Sequence, residues 1–207
     1  MVRVAALLLV MLLVLSCSER HKIVVVTGHE DFREGDLVLR CGYGAESRAV
    51  TASSCSFYSH IGLLHQDAGN GGWMVVHAVP GEADPDAPER LKCEPISQFF
   101  SPERAIRGAW MRIDCPDSIA QKAARYALEK MEQGVEFDND YRLSDTTQLY
   151  CTELIWQAYL HQGVDVTDGQ RQEAPTFICK DGECIFPIDI ERSTKTLFVK
   201  PFKTSER

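Results

Sequence analysis

Cys151, His60 and His77 are the residues of this chain whose types and settings suit joint chemistry. A thiolate attacks a carbonyl carbon efficiently when a base within hydrogen-bond reach takes the thiol proton and a third group orients that base. Cys151 lies in Tyr150-Cys-Thr-Glu-Leu-Ile-Trp-Gln-Ala-Tyr-Leu160, where Cys151, Leu154, Ile155, Ala158 and Tyr159 recur at helical spacing. The spacing predicts a helix over about 149–162, ended by Gly163, with Cys151 in its first turn and on its inward face. Free backbone N–H groups and the positive end of the helix dipole favour a thiolate there, so the position predicts a lowered pKa. A buried structural cysteine is the plainer alternative, and the helix by itself does not decide between them.

The histidines sit in apolar alternating segments. Residues 58–64 place His60, Gly62 and Leu64 on one strand face; residues 73–78 place Trp73, Val75 and His77 on one face and Met74, Val76 and Ala78 on the other. Between them His65-Gln-Asp-Ala-Gly-Asn-Gly-Gly72 is a Gly-rich turn, so a hairpin is the simplest connection. A symmetric turn puts His60 directly across from His77, with Cβ atoms about 5 Å apart; a bulge makes them diagonal neighbours. His60 is then the expected base and His77 the group that holds its tautomer. His21, His29, His65 and His161 lack such a setting and are expected to be satisfied or surface residues.

The elements that must position these three residues give an α+β class. Strands are expected at 23–26, 37–41, 58–64, 73–78, 105–113 and 196–200, and a first helix from Pro116 to about Gln133, stopped by Gly134. Residues 42–56, polar and small, read as a loop, as do 79–90, 135–147 and 164–186. Glu34-Gly-Asp36 is a turn, with Asp36 fixing it rather than doing chemistry. The 207 residues suit one domain. With a net charge of -8 and no long basic run, nucleic-acid binding has no electrostatic support.

The N-terminus stands apart. Residues 4–15 are an unbroken apolar run after Arg3, too short for a permanent span and followed by Val14-Leu-Ser-Cys17. This resembles a bacterial lipobox, which implies lipidation of Cys17, a signal peptide over 1–16, a tether over 17–22 and a folded domain over 23–207. An ordinary secretory signal with a chance cysteine is the alternative. Ser18 is not the aspartate associated with inner-membrane retention, so the resemblance favours a lipid anchor in the outer membrane facing the periplasm. Export permits disulfides. Setting aside Cys17 and Cys151 leaves six cysteines; Cys179 and Cys184 flank a turn-like stretch and are the best local pair. Cys41, Cys55, Cys93 and Cys115 then allow three connectivities. A zinc site is the competing use, but no Cys-x-x-Cys occurs and the His60/His65 spacing is a weak signal.

Gly35-Asp-Leu-Val38, Ser59-His-Ile-Gly-Leu63 and Val76-His-Ala78 resemble the strand motifs of NlpC-type cell-wall cysteine peptidases. The nucleophile segment follows these strands instead of preceding them. That order is similar to the circularly permuted branch, the YiiX-like hydrolases and the lecithin retinol acyltransferase relatives. Phe137-Asp-x-x-Tyr141 before Tyr150-Cys-x-Glu-Leu154 is similar to the YiiX-like pattern. The resemblance covers about residues 33–160 and implies a papain-like fold, a nucleophile helix on a small antiparallel sheet, and a Cys151–His60–His77 triad. One departure is that some YiiX-like members carry an acidic residue where His77 stands. Tyr58, Ser59 and Tyr150 flank the three residues and are expected at a substrate pocket, though the tyrosines would serve equally as core aromatics. The Cys151 N–H is the expected oxyanion donor. No metal or organic cofactor is called for.

Three functions fit. The first is an exported amidase or peptidase acting on cell-wall (peptidoglycan) peptides through an acyl-enzyme. The second is an acyltransferase or thioesterase acting on lipid esters. The third is a binding module without catalysis, against which the presence of all three residues argues. The N-terminal reading has a direct check: mass spectrometry of the mature protein is expected to find chain start and lipid both at Cys17, and an unmodified Cys17 or cleavage elsewhere would overturn it.

Overall fold

The computed structural model describes residues 22–82 and 87–206. The apolar run 4–15, Cys17 and all of the tether except Lys22 lie outside the described residues. The elements in chain order are β1 (Lys22–Val25), β2 (Leu37–Cys41), α1 (Ala45–Ser54), β3 (His60–Gln66), β4 (Trp73–His77), β5 (Lys92–Pro95), α2 (Ile96–Phe99) and β6 (Arg107–Ile113). They continue with α3 (Asp117–Glu132), β7 (Glu136–Phe137), β8 (Gln148–Leu149), α4 (Cys151–Leu160), β9 (Gln172–Glu173), β10 (Glu183–Cys184), α5 (Pro187–Glu191), β11 (Thr196–Pro201) and β12 (Lys203–Glu206). The class is α+β: a six-stranded antiparallel sheet in the order β11-β6-β2-β3-β4-β5 carries the long helix α3 and the Cys151 helix α4 on one face.

Both faces of the central strands are buried, which is why β2 reads as an apolar run with little alternation. On one face Leu37, Leu39, Ile61, Leu63, Val76 and Met111 pack under α3 and α4. Helix α3 turns Ala123, Ala124 and Ala127 inward, and small side chains let it approach closely. That approach explains Gly35, where a Cβ would lie 2.5 Å from the Ala120 carbonyl oxygen and φ is +85°. The Gly35 carbonyl also accepts a hydrogen bond from Tyr159 on α4, at 2.6 Å. On the other face Val38, Leu64, Val75 and Trp110 meet Phe32, Phe99 and Phe100. Asp36 locks the turn before β2 by accepting from the Arg33 N–H, the Trp110 indole and the Arg112 guanidinium, at 2.7–2.9 Å.

Several expectations are corrected. Residues 45–54, read as loop, are helix α1; only Val50 and Ser54 are buried, so one apolar residue leaves no periodic signal. Strand β5, unforeseen, has burial but no alternation in Lys-Cys-Glu-Pro. The β3–β4 register is shifted by two residues: Leu63 faces Val76 and Gln66 faces Trp73, which puts Gly62 opposite His77 and makes His60 its diagonal neighbour. The turn closes at Asp67 and Gly72, with a 2.9 Å backbone bond, rather than symmetrically around 68 and 69. Cys179 and Cys184 are bonded to each other, whereas Cys41, Cys55, Cys93 and Cys115 are free thiols. Cys41 and Cys93 lie on strands three apart in the sheet, about 14 Å at ~4.8 Å per strand, well beyond the ~7 Å Cα reach of a disulfide.

Gly62 illustrates the demand for space beside the histidines. A Cβ there would clash with Val75 Cγ1 and come 3.2 Å from His77 Cβ. Gly62→Ala is expected to cost about 1–3 kcal/mol in urea unfolding through overpacking of a tight strand pair. A second constraint lies in α4. Glu153 is fully buried, its Oε1 accepts from Gln157 at 2.9 Å, and its Oε2 has no partner among the described residues. Burial, with the charge of Asp138 adding to it, pushes the carboxyl from 4.5 up to about 8. A raised carboxyl stabilises the fold fully below about pH 4.5 and loses that contribution as pH rises through about 8. Glu153→Gln is therefore expected to lose less stability than the parent between pH 5 and 8 in denaturant titrations.

Candidate active site

Cys151 is the first residue of α4, and its thiol is buried. The helix start is anchored to a neighbouring segment from both sides. The Tyr150 hydroxyl accepts from the Ile185 N–H at 3.0 Å, and the Thr152 hydroxyl donates to the Ile185 carbonyl at 2.6 Å. The backbone of Ile61, the residue after His60, lies near enough to the thiol to act on its pKa, so the Cys151 helix and the histidine strand meet at this point. The lowered pKa expected from the helix N-terminus is not found. Burial dominates and pushes the thiol up to about 12, against the opposing N–H contacts of Ile61 and Thr152.

His60 and His77 reach one another across the strand pair. His60 Nε2 lies 2.8 Å from His77 Nδ1, and the rings are in T-shaped contact with centroids 5.0 Å apart. Phe99 stacks on His60 and meets His77 edge-on, at 5.7 and 5.1 Å. Both imidazoles are buried. Burial, with the Arg40 charge adding to it, drives His60 well below 6.5; His77 falls to about 4 because burial outweighs its contact with Glu94. At neutral pH both rings are therefore neutral.

Glu94 on β5 was missed in the sequence, since nothing in Lys92-Cys-Glu-Pro95 marks it. Its Oε1 lies 3.2 Å from His77 Nε2, within ion-pair range but short of hydrogen-bond alignment. Arg104 at 2.8 Å and Lys92 at 3.3 Å hold the same carboxylate. Although burial opposes ionisation, the His77 contact and these cations hold it at about 2. Glu82 ties the cations together by pairing with Arg40, Lys92 and Arg104. Arg40, on β2 opposite His60, also donates to the Phe99 carbonyl at 2.8 Å.

These elements surround a cavity of about 300 Å3 at the end of the sheet, where groups from both faces converge. Cys151 enters from the helix face; His60 and Arg40 enter from the other. Ser59 and Tyr150 line it as expected positions would, and Ser59 Oγ accepts from the Gly42 N–H at 3.3 Å. Tyr58 does not line it; its side chain packs in the helix-side core, which corrects its placement at a substrate pocket. Tyr141, in the Phe-Asp-x-x-Tyr stretch, forms part of the wall with φ +52°, donates its hydroxyl to Glu46 and packs on Tyr150 at 5.0 Å. Glu46 belongs to the unforeseen helix α1. Ile178 and Ile185 also line the cavity, just outside the bonded Cys179 and Cys184. Among the described residues no group of three or more His, Cys, Asp or Glu side chains is arranged to hold a metal ion.

The arrangement holds a thiol, a neutral imidazole and a second imidazole backed by a carboxylate. Comparison with known proteins bears on the family and the fold. A family described as permuted papain-like amidase enzymes, YaeF/YiiX, C92, matches residues 31–199. The uncharacterized protein YiiX of Escherichia coli (strain K12) is 22% identical over 143 residues, which is 69% of this chain and 64% of YiiX, so the match spans just under two thirds of that relative. A crystal structure of YiiX from Escherichia coli O157:H7, described as a metalloprotein, shares the fold with a TM-score of 0.63 at 18% identity, covering 84% of this chain and 97% of that one. With a papain-like α+β fold and a family match over most of its length, this chain belongs to the permuted papain-like amidases of the YaeF/YiiX, C92 family.

Proposed function

We propose that this chain is an exported cysteine hydrolase that cleaves amide bonds in cell-wall peptides, with Cys151 as nucleophile, His60 as base and His77 as the group that orients it. The observation that supports it most is the 2.8 Å bond from His60 Nε2 to His77 Nδ1 beside the cavity that Cys151 shares. The amidase class follows the family; the cell-wall substrate rests on the lipobox-like segment ending at Cys17, since a lipid-anchored envelope protein sits beside peptidoglycan.

The resting site holds a thiol near 12 and an imidazole well below 6.5, so no thiolate–imidazolium pair stands ready. The proton moves as the bond forms: His60 takes it from Sγ while sulfur adds to the amide carbonyl. The N–H of Cys151, in the first helical turn and without an intrahelical acceptor, serves the oxyanion. Collapse expels the amine, which takes the proton from His60 and leaves a thioester. Water, deprotonated by His60, then adds to the thioester, and collapse releases the carboxylic acid and restores the thiol.

Purified protein is to be assayed on muropeptides and on small acyl esters side by side. Amide cleavage in the muropeptides is expected, with kcat/KM falling on the order of 10³-fold or more in Cys151→Ala. Ester turnover with muropeptides untouched would replace the substrate with a lipid or other ester, and undiminished activity in Cys151→Ala would remove the nucleophile assignment.

A further inference from the structure

Glu94 stands behind the histidine pair, and the proton bookkeeping of the three groups has one consistent solution. Arg104 and Lys92 keep Glu94 ionised, so its carboxylate accepts hydrogen bonds and donates none. His77 is fully buried, and its Nε2 and Glu94 Oε1, 3.2 Å apart, have no other partner among the described residues. A lone pair on Nε2 would face a carboxylate lone pair in a buried site; a proton on Nε2 removes that repulsion. Neutral imidazole carries one proton, so His77 Nδ1 is then an acceptor. His60 Nε2, 2.8 Å away, must donate to it. His60 is neutral as well, which leaves its Nδ1 bare.

We propose that Glu94 is a positioning residue that sets the tautomer of His60 through His77, keeping His60 Nδ1 unprotonated as the atom that receives the thiol proton. Its catalytic meaning rests on the Cys–His reading above; the tautomer itself is a property of the resting protein. When His60 Nδ1 takes the proton from Cys151, His60 Nε2–H remains donated to His77 and His77 Nε2–H remains directed at Glu94. No proton moves along the chain. The imidazolium charge is stabilised by dipoles that already point the right way, which lowers the cost of forming it where water is excluded. The charged groups around Glu94 are Lys92 and Arg104, and Glu82 binds both of them and Arg40, so the carboxylate facing His77 stays within a cluster of three cations and two carboxylates.

The test compares the full-length protein with Glu94→Gln and Glu94→Asp, using 15N chemical shifts of the histidine rings together with kcat and KM. Glutamine can turn its NH2 towards His77 Nε2 and so permit the reversed chain, with the proton on His60 Nδ1. Wild type is expected to show His60 protonated at Nε2 only. Glu94→Gln is expected to gain the Nδ1-protonated form and to lose roughly 10²- to 10⁴-fold in kcat with KM little changed. Glu94→Asp, which keeps the charge, is expected to hold the wild-type tautomer and more of the rate. A wild-type spectrum with His60 protonated at Nδ1 would overturn the proposal without any variant, as would a Glu94→Gln protein with unchanged tautomer and kcat. If the tautomers shift as expected while Cys151→Ala stays fully active, the positioning chain stands and the nucleophile assignment fails.

Discussion

A hydrogen bond between two buried imidazoles is the interaction on which the rest of this site depends. His60 and His77 satisfy one another at 2.8 Å, and that contact requires both strands to run at one register. The register requires Gly62 opposite His77, since any side chain there would strike Val75 and His77 itself. Phe99 packs against both buried rings, and Arg40 lies over Phe99 at 4.5 Å while its guanidinium is held by Glu82. Burial of this kind makes charge expensive on every group present. Sulfur and both imidazoles respond by staying neutral, and the compensating charges are gathered one layer further out, on Glu94, Glu82 and the three cations.

The Cys151 side of the cavity is built from chain segments distant in sequence. Ile185 is gripped through both of its backbone polar groups by the two residues flanking Cys151. The loop bearing Ile178 and Ile185 is itself cross-linked by the Cys179–Cys184 disulfide. The cavity wall thus combines β2, β3, helix α1, the Tyr141 connector and this cross-linked loop, and no single segment of the sequence contains it.

What could be read in the sequence follows from where periodicity survives. The segments 150–160 and around His60 and His77 were legible as core elements because they are rich in apolar residues and deeply buried. The pairing of the two histidines was legible, but its register was not: a Gly-rich turn has no intrinsic centre, and closure at Asp67 and Gly72 moved the pairing by two residues. Helix α1 carries a single buried apolar residue, and β5 is a short stretch whose key residue looks like an ordinary surface acid. Glu94 acquires its meaning only from Lys92 and Arg104 and from the histidine beside it. The helix-dipole argument for a reactive thiol failed for a related reason: a sequence places Cys151 at a helix start but does not report how completely that start is covered.

That covering has a chemical consequence of its own. With burial holding its pKa well above the ordinary thiol value, little of Cys151 is thiolate at neutral pH, and the thiolate is the form that reacts with peroxides and disulfides. The same cover that keeps the sulfur protonated therefore also shields it from oxidation.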